Sequence, residues 1–237
     1  RVAGSWGDAS GCRPSGKSRL ASISGRRRHR RFASVTELLS DRIAARLARQ
    51  RLVVSDSSIL ALSGYLRHLA HWNRRVNLTA IPLSPPIANA AIDKLLVEPV
   101  AATSLLSAAP RTWFDLGSGG GSPAIPLRIV WRAGRLTMVE SREKKGAFLR
   151  DVVRELQLAS TDVETCRFEE LAASGSVDLI TLRAVRIDAP LVDLFSSLLA
   201  PGGHILAFGG SIDSPLFARV SSSDLPDGSK LSLFKRA

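Results

Sequence analysis

Two cysteines, Cys12 and Cys166, are all that the 237 residues contain, and they form no C-x-x-C pair. A disulfide framework and a thiolate metal centre are thereby excluded. The four histidines, at positions 29, 68, 71 and 204, have no ligand spacing, so no metal is expected. No apolar run approaches the ~18 residues of a membrane span, which points to a soluble, cytoplasmic chain with no membrane partner. Acids are scarce in one segment only: residues 1–35 hold nine of the 33 Lys/Arg and, of the 21 Asp/Glu, Asp8 alone. The net charge of +12 is therefore mostly a tail, since the other residues carry only +4. Oligomeric state leaves no signature in the chain.

That tail, residues 1–34, places Arg26-Arg-Arg-His-Arg-Arg31 among Ser and Gly with little to bury, so a basic disordered extension is expected. The first reading is a solvated extension that includes fragment or upstream-translated sequence, the chain opening on Arg1 with Met138 its only methionine; the second is an arm drawn to RNA phosphates. A third reading is an organellar transit peptide, rich in Arg and Ser and poor in acids, which would move the protein out of the cytoplasm.

Residues 35–100 form a small helical subdomain in this reading. The capping box Ser34-Val35-Thr36-Glu37 opens a helix with Leu38, Leu39, Ile43 and Leu47 on one face. A second helix starts near Asp56-Ser57 and repeats Leu62, Leu66, Leu69 and Trp72, a core stripe. The polar stretch from His71 to Thr79 follows, Pro82, Pro85 and Pro86 interrupt the chain, and Ile92, Leu95, Leu96 and Val100 suggest a third helix.

From 101 to 237 strands alternate with helices, the mark of an α/β fold with a mostly parallel sheet. Strands are expected at Trp113–Leu116, Arg135–Glu140, Val163–Cys166, Val177–Leu182 and His204–Phe208. Helices are expected from about Pro123, across Phe148–Leu156, and from about Asp188 to Leu199, the last closed by Pro201-Gly202-Gly203. Leu216–Val220 and Leu231–Phe234, joined across Pro226-Asp227-Gly228, read as an antiparallel hairpin.

The stretch Trp113-Phe-Asp115-Leu-Gly117-Ser118-Gly119-Gly120-Gly121-Ser122-Pro123 carries the chemistry. A strand ending in an acid, four glycines in five residues and a proline opening a helix make a ligand cradle. A dinucleotide site wants G-x-G-x-x-G, and Ser122 occupies the third glycine position. Asp115 would also repel a pyrophosphate. S-adenosylmethionine, with an ammonium, a sulfonium and a carboxylate, suits an acid beside an amide nest. Glu140, at the end of the second strand and about 20 residues past the loop, is placed to accept hydrogen bonds from both ribose hydroxyls. Ligands of open α/β sheets sit at the carboxyl ends of the strands, where Gly117–Gly121, Glu140, Arg167–Glu169 and Arg183 all fall.

Four segments, His71-Trp-Asn-Arg-Arg-Val-Asn-Leu-Thr79, Phe114–Pro126, Glu140–Leu149 and Leu182-Arg-Ala184, together resemble the bacterial 16S rRNA guanine-N7 methyltransferase family, also called glucose-inhibited division protein B. The resemblance implies a class I, Rossmann-like S-adenosylmethionine-dependent fold. Its substrate would be guanosine 527 of 16S rRNA, so the small ribosomal subunit is the implied partner. It also implies that Asp115, Gly117, Ser118, Gly119, Gly121 and Glu140 bind the cofactor, with adenine near Arg167, Phe168 and Glu169. Arg183 would lie at the active-site mouth against cofactor and substrate, with Asn77 and Thr79 on the cofactor or RNA face. The chain departs from the family at Ala90, where a His is expected, at Lys94, where Ser is usual, and at Gly209, where Lys is expected. These departures leave a second reading, an rRNA-binding or small-subunit factor of the same family that is non-catalytic or has an altered substrate. A C5-pyrimidine methyltransferase would need a placed cysteine, and an adenine-amino enzyme Asn/Asp-Pro-Pro-aromatic where this chain has Leu182-Arg-Ala-Val185.

Overall fold

A computed structural model describes residues 38–172, 175–226 and 228–237. The basic extension 1–34, the Ser34–Glu37 capping box and Asp227 of the last turn lie outside the described residues. Residues 38–237 form one compact unit.

Helix α1 covers residues 38–49 and buries Leu39, Ile43 and Leu47. Helix α2 (Asp56–Asn73) starts at Ser55, whose hydroxyl accepts from the Ser58 N–H, and its stripe Leu62, Leu66 and Leu69 is fully buried. Trp72 is only half-buried, because its Nε1 reaches outward to donate to Asp151 at 3.1 Å. The expected third helix is three pieces end to end: α3 (Asn89–Ile92), a π-helical turn (Asp93–Val97) and α4 (Glu98–Ala102).

The sheet has seven strands: β1 (Thr112–Leu116), β2 (Arg135–Val139), β3 (Thr161–Glu164), β4 (Val177–Arg183), β5 (Leu199–Phe208), β6 (Phe217–Asp224) and β7 (Lys230–Arg236), in the order β3-β2-β1-β4-β5-β7-β6. All pairs are parallel except those made by β7, which is antiparallel to both β5 and β6. The C-terminal hairpin is thus present, with its second strand inserted between the first and the body of the sheet. Helices α5 (Ala124–Val130) and α6 (Glu143–Glu155) share one apolar cluster with α1 to α4 on one face. Helix α7 (Ala189–Leu198), capped by Asp188, packs Leu191, Phe195 and Leu198 into a separate cluster on the other.

Two expectations are corrected. Pro201-Gly202-Gly203 does not end a helix ahead of a strand at 204; it lies inside β5, where pairing begins at Val177 with Leu199 and the register shifts before Leu179. The register shift at the start of this inner strand accommodates the proline, which has no N–H to give the ladder. Cys166 is not inside β3 but two residues beyond it, half-buried, and burial with the nearby Glu164 and Glu170 carboxylates pushes its thiol pKa up. It is a poor nucleophile for that reason.

Candidate active site

The glycine loop leaves β1 with the Gly117 and Ser118 N–H groups donating to the Val139 carbonyl at 2.9 and 3.1 Å, which ties it to the end of β2. Gly121 has φ +87, and a Cβ there would meet Ile125 Cδ1 at 2.3 Å, so an L side chain is disfavoured twice over. At Gly120 a Cβ would stand 3.2 Å from the Leu78 carbonyl oxygen and 3.3 Å from Leu69 Cδ1. The helical half of the chain therefore closes directly on the loop. Tyr65, the one tyrosine of the chain, is fully buried and donates from Oη to the Gly120 carbonyl at 2.7 Å. Sequence reasoning passes over it; a lone polar ring on the buried face of α2 is the signal that was available.

Asp115 is 1% exposed. Its Oδ1 accepts from Thr181 Oγ1 at 2.6 Å, and its Oδ2 is buried with no hydrogen-bond partner among the described residues. Burial pushes its pKa up to about 6, against the Thr181 hydrogen bond, the neighbouring Ser118 hydroxyl and the nearby Arg183, and with the Glu140 charge adding to the rise. A buried acceptor without a donor, beside a loop that excludes a side chain at Gly121, fits a ligand that brings N–H or O–H donors and positive charge. S-adenosylmethionine meets that requirement.

Glu140, 6% exposed, accepts with Oε2 from the Gly119 N–H and with Oε1 from the Arg142 N–H, both at 2.9 Å. It braces the loop while each oxygen retains capacity for another donor. Replacing Glu140 with alanine is expected to weaken cofactor binding by roughly 1–3 kcal/mol, the cost of leaving such partners unpaired. Calorimetric titration of the variant checks this, and an unchanged affinity would show that Glu140 takes no part.

The wall facing the loop is built by the segment after α2 and by the π-helical turn. Asn73 Oδ1 accepts from the Leu78 and Thr79 N–H groups at 2.9 and 3.0 Å, and its Nδ2 donates to the Thr79 carbonyl at 3.1 Å. That side chain fixes the path that brings Leu78 and Thr79 to the loop. In the π turn, Arg46 holds Asp93 through two bonds, with Nε to Oδ1 at 2.7 Å. Arg183 Nη1 donates to the Lys94 carbonyl at 2.7 Å, and Ser122 Oγ to the Leu95 carbonyl at 3.0 Å. A π turn slips the helical ladder by one residue and is often found at functional sites. Here its carbonyls receive one donor from β4 and one from the glycine loop.

A cavity of about 590 Å³ lies between these walls, lined among others by Thr79, Lys94, Glu98, Gly117, Ser118, Gly119, Lys145, Arg183 and Gly209. The structure thus brings together the glycine loop, Thr79, Arg183 and two of the departures, Lys94 and Gly209. Asn77 is exposed and Ala90 is exposed on α3; neither lines the cavity. Gly121 and the buried Asp115 and Glu140 do not line the cavity either. Arg167, Phe168 and Glu169 lie at the short 3-10 turn Phe168–Glu170 after β3, two strands from β1 and outside the cavity. No group of three or more His, Cys, Asp or Glu residues suited to a metal occurs among the described residues, and no helix of theirs is long and apolar enough to cross a membrane.

This strand order, with a glycine loop after β1 and an acid after β2, defines a class I S-adenosylmethionine-dependent methyltransferase. The fold is shared with a SAM-dependent methyltransferase of Aquifex aeolicus, with a TM-score of 0.52 and 11% identity over 62% of this chain and 93% of that one. A putative S-adenosyl-L-methionine-dependent methyltransferase of Methanococcus maripaludis gives 0.50 and 13% over 62% and 90%. The family described as rRNA small subunit methyltransferase G, GidB, matches residues 58–215, and the chain belongs to it. Relatives named ribosomal RNA small subunit methyltransferase G are 38% identical over 154 residues in Nitratidesulfovibrio vulgaris, 64% of this chain and 70% of that protein. The Stenotrophomonas maltophilia relative is 36% identical over 165 residues, 69% and 72%.

Proposed function

We propose that the protein transfers a methyl group to N7 of a guanosine in 16S rRNA, in the cytoplasm. One observation supports this most: the glycine loop and the Asn73-anchored segment ending at Thr79 line the same cavity, so a donor site and an RNA-family element meet in one space. S-adenosylmethionine, when bound, supplies an electrophilic methyl on a sulfonium. Asp115 and Glu140 would hold its donors, and Gly117 to Gly119 would let the backbone lie against it.

Guanine N7 carries an in-plane lone pair and no proton, so the protein needs neither a nucleophile nor a strong base. Alignment of donor and acceptor is then the main task of the cavity. Lys94 and Lys145 bring positive charge to the walls, matched to the acceptor edge of guanine or to flanking phosphates. Arg183 acts differently from an extended substrate clamp. Its side chain is 13% exposed, bonded to the Lys94 carbonyl, 3.1 Å from Glu98 and seated 4.4 Å over the Phe208 ring. It fixes the acceptor wall.

Incubation with labelled cofactor and small-subunit RNA lacking the modification, naked or in assembled subunits, is expected to label the RNA. Cofactor binding with no label in either substrate would contradict the proposal.

A further inference from the structure

Glu98 is a buried carboxylate on the cavity wall. It opens α4 directly after the π turn, is 7% exposed and lines the cavity. Its Oε2 lies 3.1 Å from Arg183 Nη2, and Arg183 is held in turn by the Lys94 carbonyl and the Phe208 ring. A carboxylate offers about four lone-pair sites, so an ion pair with Arg183 is compatible with accepting from a ligand as well. An acid held rigidly on the acceptor side of a site that works on a nucleobase is a base-reading group by its chemistry.

We propose that Glu98 is a catalytic and specificity residue whose carboxylate accepts the N1–H and exocyclic N2–H of the target guanine. This rests on the methyltransferase reading above. In the transfer the N7 lone pair forms the new bond to carbon, and the carbon–sulfur bond breaks with its electron pair left on sulfur. The positive charge passes from sulfur to the purine, and no proton is exchanged. As the ring gains charge, N1–H and N2–H become stronger donors, so their bonds to a carboxylate tighten on the way to the transition state. An interaction that is stronger there than in the ground state raises kcat. Adenine would present an acceptor at N1 to the same carboxylate, and inosine would lack the second donor.

The test uses the full chain and 16S RNA carrying guanosine or inosine at the methylated position. Wild type is expected to prefer guanosine by about tenfold in kcat/KM, the worth of one hydrogen bond. Glu98→Gln is expected to lower kcat on guanosine roughly 10- to 100-fold, the worth of a hydrogen bond to a charged group, to bring the guanosine-to-inosine ratio near one, and to leave cofactor affinity within about twofold. A Glu98→Gln protein that loses activity but keeps the wild-type ratio would overturn the proposal, because a counter-ion for Arg183 alone cannot affect base choice. Should the variant fail to fold, equal wild-type rates on guanosine and inosine would overturn it, and the tenfold preference would support the N2 contact. A wild type that methylates neither RNA overturns the functional reading together with this one, and is distinguishable from both results.

Discussion

Asp115→Asn is expected to gain about 2–3 kcal/mol of stability relative to wild type between pH 4 and pH 7.5, while binding S-adenosylmethionine roughly 10- to 100-fold more weakly at the upper pH. Burial raises the Asp115 pKa from 3.8 to about 6, so the folded state holds this proton more tightly than the unfolded chain does. The sign follows: below about pH 4 the carboxyl is neutral in both states and costs nothing, and the cost grows as pH rises through 4 to 6 and is complete above 6. A difference of about 2 pH units corresponds to about 3 kcal/mol, undiluted by solvent because the group is fully buried. Asparagine removes the charge and can still accept from Thr181 Oγ1. The fixed cost of its unpaired amide N–H does not vary with pH, so the change with pH isolates the carboxylate. Wild-type affinity should fall as pH drops through about 6, where the ligand's donors must displace a proton, and the variant should show no such fall. Denaturant unfolding across pH, with calorimetric titration, checks both. A stability difference independent of pH would mean that Asp115 is not strained by burial.

Arg128→Met should be the most damaging single change away from the cavity, at about 3–5 kcal/mol. Arg128 is 4% exposed, at the end of α5. Its Nη1 donates to the carbonyls of Trp131, Ala133 and Gly134 at 3.3, 3.0 and 3.0 Å, and its Nη2 to those of Arg132, at 3.2 Å, and Ala159. One guanidinium thus caps the helix, closes the turn into β2 and ties it to the turn before β3. Methionine matches its stem but leaves those acceptors without their donor. For a unit of about 200 residues this corresponds to a fall in Tm of roughly 10 °C or more. A loss under about 1 kcal/mol would show that water replaces the guanidinium without strain.

The core of the site was legible because it depends on local rules. An apolar run into Asp115, four glycines and a proline specify strand, loop and helix with little help from the rest of the chain, and Glu140 follows from the spacing of the next strand. The π turn was not legible. Ile92, Leu95, Leu96 and Val100 are buried as an ordinary helix would bury them, and a one-residue slip of the backbone ladder leaves that pattern intact. Between Asn73 and Asn77 the residue types offer no choice; the fold decides, because only Asn73 ends α2 within reach of Leu78 and Thr79. Ser122 presents in sequence as a failed glycine and in structure as a tether to the acceptor wall. No local pattern singles out Glu98 or Tyr65; long-range closure of the helical segments on the loop is what brings them to the site. Arg128 finds its five acceptors in a turn and a second loop that sequence spacing does not bring together.

The most direct measurement of the central account is nucleoside mass analysis of 16S RNA after reaction with the protein and S-adenosylmethionine, with cleavage chemistry selective for N7-methylguanosine to place the modified base. The account predicts one added methyl, on N7 of one guanosine, from wild type and much less from Glu140→Ala. A methyl on any other atom or base, or equal yield from the two proteins, would contradict it.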